Sequence, residues 1–174
     1  MGIYDLNNVY YLEHDIKTIF ESIDKLYRVE FKLDKTHLHS KTLIDNSHHW
    51  TSDVCKETFN NLVPAIKSLH KDMYALLETI FISKTGKFNK PALEIKYQYL
   101  KEFRLLNNKF KHFNDKEAEI NLTEIVLMEP AGHVIDIFCT FIYPSNFEAL
   151  RFSTFIEVFL KILEDENIIS ISRS

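Results

Sequence analysis

Glycine is almost missing from this 174-residue chain, which has only Gly2, Gly86 and Gly132. Long glycine-free stretches favour helices, and their scarcity of tight turns excludes a glycine-rich phosphate loop or a nucleophile elbow. Cysteine is scarce too. Cys55 and Cys139 stand far apart in no redox or metal-binding spacing, which excludes a disulfide framework and reads as two small core residues. No apolar run approaches a bilayer span and no secretory leader pattern opens the chain, so the expectation is a cytoplasmic protein without membrane association. No cofactor motif is present, and none is expected.

What is abundant is aromatic: 14 Phe and 8 Tyr beside the single Trp50. With 45% hydrophobic and 26% charged residues, the chain has the composition of a globular protein, long enough for one domain over residues 1–174 with a sizeable aromatic core. Surplus rings also suit an oligomer interface.

Apolar periodicity predicts a first helix from Val9 to about Val29, through Tyr11, Ile16, Ile19, Phe20, Ile23 and Leu26. From Glu30 to Trp50 the pattern loosens into histidine-rich sequence with no assignable element. Thr51, Ser52 and Asp53 offer cap oxygens for a second helix reaching about Ile82, with Pro64 inside it as a kink or a fresh start. Gly86 lies in the turn that follows. Pro91 suits the first turn of a third helix whose apolar stripe is Ala92, Ile95, Tyr99, Phe103, Leu106, Phe110 and Phe113. Tyr97, Lys101, Arg104, Asn108 and His112 fall on its polar arc.

Ile120 to Met128 and His133 to Tyr143 are rich in β-branched and aromatic residues, and Glu129 to Gly132 between them reads as a turn, so an antiparallel hairpin is predicted. Ile135, Ile137, Cys139 and Phe141 form its core-facing row. Ser145-Asn146-Phe147-Glu148 has the form of a capping box, predicting a final helix to about Glu166 and a packed tail of Ile168, Ile169 and Ile171. The expected architecture is mainly α: a bundle of about four long helices with one β-hairpin inserted before the last.

Charge is unevenly distributed. Residues 84–114 hold eight basic and two acidic side chains, whereas 115–166 hold eleven acidic and three basic, although the whole chain is only at −4. The third helix thus presents Lys101, Lys109 and Lys111 as candidate RNA-binding residues. The plainer reading is a solvated face, or one paired with the acidic C-terminal part of the same fold.

Within Arg104-Leu105-Leu106-Asn107-Asn108-Lys109-Phe110-Lys111-His112-Phe113-Asn114, the run ending in Lys-His-Phe resembles the signature helix of HEPN-superfamily proteins. The resemblance spans about one helix. It implies a HEPN-like helical domain, a dimer whose paired helices form a metal-independent ribonuclease site, and a role in bacterial defence or a toxin-antitoxin system. On that resemblance His112 handles protons as the RNA 2'-hydroxyl attacks phosphorus, Arg104 stabilises the phosphoryl oxygens and Asn108 orients either group. Seven residues separate Arg104 from His112, wider than the family spacing, and Leu105 replaces the usual polar neighbour. Along a helix the two would lie about 12 Å apart, so a homodimer is needed to join them.

Two other readings stand beside it. One is a non-catalytic dimeric protein-interaction domain. The other is a metal enzyme using His37, His39, His48, His49 and Asp45, whose spacing matches no metal motif and suits a polar loop better. His14, His70 and His133 are isolated, as surface or hydrogen-bonded structural histidines usually are.

Overall fold

A computed structural model describes residues 6–32, 41–42, 47–112, 118–128 and 136–169. Helix α1 spans Leu6–Leu26, three residues before the predicted start and end. Strands β1 (Lys41–Thr42) and β2 (Ser47–Thr51) follow, then a 3-10 turn at Ser52–Val54. Helix α2 (Lys56–Thr85) begins only after Cys55 and receives no side-chain cap, so Thr51 closes a strand and Ser52 and Asp53 lie in the 3-10 turn instead of opening the helix. Pro64 lies within α2, and Gly86 stops it: at φ 77 its N–H donates back to the Ile82 carbonyl, a left-handed geometry that glycine adopts without strain.

The third predicted helix is two helices. α3 (Lys90–Lys96) is capped by the Asn89 side chain, and α4 runs Leu100–Lys111. Between them Tyr97 is extended and Tyr99 takes φ 67, which rotates the helical phase. Ile95, assigned to the buried stripe, is therefore 88% exposed, and Tyr97, assigned to the polar arc, is buried. Simple periodicity fails here because the helix axis restarts after residue 99.

β3 (Glu119–Met128) and β4 (Asp136–Ile142) form the expected antiparallel hairpin, pairing Ile120 with Phe141 and Ile125 with Ile137 around an irregularity between Leu122 and Glu124. The predicted capping box is not a helix start. Tyr143 N–H bonds the Asn146 carbonyl across a turn, and Phe147–Arg151 becomes β5, laddered against β4. Helix α5 then covers Phe152–Asp165. These residues are satisfied better by β4 backbone partners than by the local Ser145 and Glu148 side chains, a tertiary override of a local signal.

The four-helix bundle with one hairpin is thus corrected, among the described residues, to five helices and a five-stranded antiparallel sheet ordered β1-β2-β3-β4-β5, with three strands in succession after α4. The unassigned histidine-rich stretch supplies β2, which pairs with β3 across α2 to α4. His37, His39, Asp45, Phe113, Glu129 to Gly132, His133, Ile135 and Ile171 lie outside the described residues. No helix among the described residues is long and apolar enough to cross a membrane.

One sheet face, with Ile120, Ile125, Ile137, Cys139, Phe141 and Leu150, joins the core built by α1, α2, α4 and α5. Both cysteines are buried thiols outside any disulfide, and burial pushes the Cys139 thiol up. At the centre lies His70 of α2, fully buried. Its Nε2–H donates to the Phe103 carbonyl of α4 at 2.8 Å, and its ring stacks on Phe103 with centroids 4.3 Å apart. Phe110, Phe152 and Phe155 complete the box. Since the carbonyl can only accept, His70 is the neutral Nε2–H tautomer, and burial holds its pKa down at about 3.

A second long-range bond fixes α5. Its own N-cap residue, Arg151, supplies no cap, but Asp136 at the start of β4 accepts from Ser153 N–H at 3.2 Å and from Ser153 Oγ at 2.6 Å. A carboxylate at a helix N-terminus also meets the positive end of the helix dipole.

Two outcomes follow from these bonds. Between pH 6.5 and about 3 the unfolded chain binds a proton at residue 70 that the folded chain refuses, so stability falls as pH drops through that window. Urea midpoints measured from pH 7 to 4 should fall more steeply in wild type than in His70→Gln; parallel curves would refute a neutral core imidazole. Asp136→Ala should cost about 1–3 kcal/mol in the same assay at neutral pH.

Candidate functional site

The basic residues of α4 separate into two groups according to where the fold puts them. Arg104 points toward α3, where its Nε donates to Glu94 Oε1 at 2.5 Å with both side chains under a fifth exposed. Lys101 is exposed above the Tyr143 ring, 5.3 Å from its centroid. Asn108 is half-buried, and its backbone carbonyl accepts the His112 N–H at 2.7 Å. His112 is the C-cap, extended at φ −133 and ψ 135, so it leaves the helical row that would align it with positions 104 and 108.

Lys109, Lys111 and His112 instead border one groove of about 460 Å³ between the end of α4, the start of α2 and strand β3. Its apolar lining comes from Phe59 and Val63 of α2, Leu106 and Phe110 of α4, and Ile120 and Leu122 of β3. Lys67 of α2 and Asn121 of β3 complete the rim. Among the described residues lining it there is no carboxylate. Lys67 escaped the sequence reading. Its only signal is the four-residue step through Phe59 and Val63, which becomes meaningful once α2 and α4 are known to pack together.

Part of the rest of the basic segment is neutralised internally. Lys84 Nζ pairs with Glu166 at 3.1 Å, and Lys96 approaches the same carboxylate at 4.0 Å. The acidic C-terminal part therefore does hold part of the basic stretch, as the plainer reading of the charge pattern expected. What remains facing the groove is a compact set of cations over an apolar floor, in a size range typical of ligand sites.

The histidine-rich segment gives a different picture. His49 of β2 is buried against Phe138, with Nδ1 at 2.8 Å from Glu124 Oε2. Among the described residues no three potential ligands gather as a metal site.

Chemically, the groove can hold an anion beside a flat apolar group. One chain does not by itself bring Arg104 to His112, and no described side chain bonds the His112 imidazole. No family model matches the chain, and no curated protein or solved structure matches it either.

Arg104→Ala should behave as a structural change. Loss of the bond to Glu94 should lower stability by about 1–3 kcal/mol, while polyanion binding at the groove stays at the wild-type level when the variant is assayed well below its melting temperature. A large binding defect in a stable, folded Arg104→Ala protein would assign this arginine to the ligand site.

Proposed function

We propose that the protein binds single-stranded RNA in the groove between α2, α4 and β3. The observation that carries this reading is the convergence of Lys67, Lys109, Lys111 and His112 around a floor containing half-buried Phe110, with no carboxylate among the described lining residues. Single strands are held in this way elsewhere: cations follow the phosphates and aromatic faces receive the bases. Asn121 adds an amide able to donate to or accept from a base edge.

The HEPN resemblance supports RNA as the ligand, and binding is favoured over cleavage. Metal-independent cleavage needs a cation to stabilise the phosphoryl oxygens near the proton-transferring His112, and within one chain Arg104 is engaged by Glu94. A catalytic version draws that cation from Lys109, Lys111 or a second subunit. The reading as a protein-interaction domain predicts an amphipathic acidic peptide in the same groove and no RNA affinity.

Binding of a labelled, unstructured RNA oligomer tests this. Wild-type affinity should fall with salt, with a slope of about −0.7 per phosphate contact in a plot of log K against log salt. Lys67→Ala and Lys109→Ala should each weaken binding by about three- to tenfold and flatten the slope by about one contact. Salt-insensitive binding, or affinity unchanged in both variants, would overturn the assignment. Incubation with chelator, comparing wild type with His112→Ala, shows separately whether bound RNA is cut.

A further inference from the structure

Strand β5 is the edge of the sheet, and no strand among the described residues pairs with its far side. Natural edges are usually blunted by lysine, proline, a bulge or extreme shortness. β5 has five paired residues with no lysine, proline or bulge inside it; its charges are Glu148 on the core-facing row and Arg151 at its end, and Pro144 lies in the preceding turn. Its outward row is Phe147, Ala149 and Arg151, on the sheet face away from buried Leu150. Phe147 is 72% exposed and stands opposite Ile142, which is 40% exposed, so the hairpin end carries an apolar patch.

We infer that two copies of this chain join through β5, edge to edge and antiparallel, continuing the sheet across a two-fold axis at Ala149. The strand is self-complementary in that register. Phe147 lies opposite the partner's Arg151, Arg151 opposite the partner's Phe147, and the small Ala149 meets its own counterpart on the axis. Arg151 already lies 5.7 Å over the Phe138 ring on the β4 side, so the pairing places its guanidinium between two aromatic rings.

Charge selects this register over its neighbours. Sliding two residues one way places Glu148 against the partner's Glu148, both half-buried, and burial together with nearby Glu102 already raises this carboxyl. Sliding two the other way leaves both Phe147 side chains without a cross-strand partner. A one-residue slip turns the partner's core row toward the outer face. A second copy fits because it brings an Arg151 to each exposed Phe147 and a small side chain to the axis; an unrelated extended peptide would have to supply a cation and a small residue at that same spacing. The groove lies on other elements, α2, α4 and β3, so dimerisation stands apart from RNA binding.

Sedimentation of the full chain over a wide dilution series, without RNA, tests this. Wild type should show a monomer–dimer equilibrium. Phe147→Lys, which sets a cation against the partner's Arg151, should weaken the dimer by roughly a hundredfold. Phe147→Glu should keep it, because a carboxylate replaces the ring as the arginine's partner. Ala149→Cys should cross-link to its counterpart under mild oxidation much faster than Ile95→Cys, a control at another exposed site remote from β5. All substituted positions are exposed, and circular dichroism confirms folding. A wild type monomeric at every concentration, a dimer indifferent to Phe147→Lys, or loss of the dimer in both Phe147 variants would overturn the inference.

Discussion

A neutral imidazole at the centre of an aromatic box is the constraint on which the other elements depend. His70 donates to a carbonyl of α4, stacks on Phe103, and touches Phe152 and Phe155 of α5. Burying it charged would be expensive, so the packing is compatible with one protonation state only. Through that single residue, the long helix α2 fixes where α4 lies, and α4 carries the groove lysines. The edge-on contact between His70 and Phe110 extends the same box to the wall of the groove.

The sheet is anchored by an equally specific polar contact. Asp136 opens β4 and caps α5, so the first turn of a helix depends on a residue two elements away. This contact explains why the chain can spend residues 147–151 on a strand and still begin a stable helix immediately afterwards. It also leaves β5 at the edge, bounded on one side by β4 and followed at once by a helix that packs on β4.

Charge follows the same logic of placement. A basic stretch of sequence is not a basic surface: Lys84 and Lys96 are drawn to Glu166, and Arg104 to Glu94. Only the cations near the end of α4, joined by Lys67 from α2, converge on an open apolar groove. Exposed lysine pairs contribute little to stability, and among the described residues lining the groove no carboxylate opposes its lysines.

Sequence alone determined those features whose causes are local. Period and β-branched content located α1, most of α2, and the β3–β4 hairpin; Gly86 marked a helix end because a left-handed residue is easiest for glycine; Pro91 lies in the first turn of α3. His112, Lys109 and Lys111 were visible as a cluster because they are neighbours in the chain. Only the tertiary structure decided the break at Tyr97 to Tyr99, where burial of Tyr97 outweighs helical continuity, and the conversion of Ser145 to Glu148 from cap to hairpin, where β4 supplies backbone partners that no local side chain can match. It likewise decided the addition of Trp50's strand to the sheet and the arrival of Lys67 beside α4. These last two join residues tens of positions apart, and a pattern read along one dimension holds no information about which distant surfaces will bury one another.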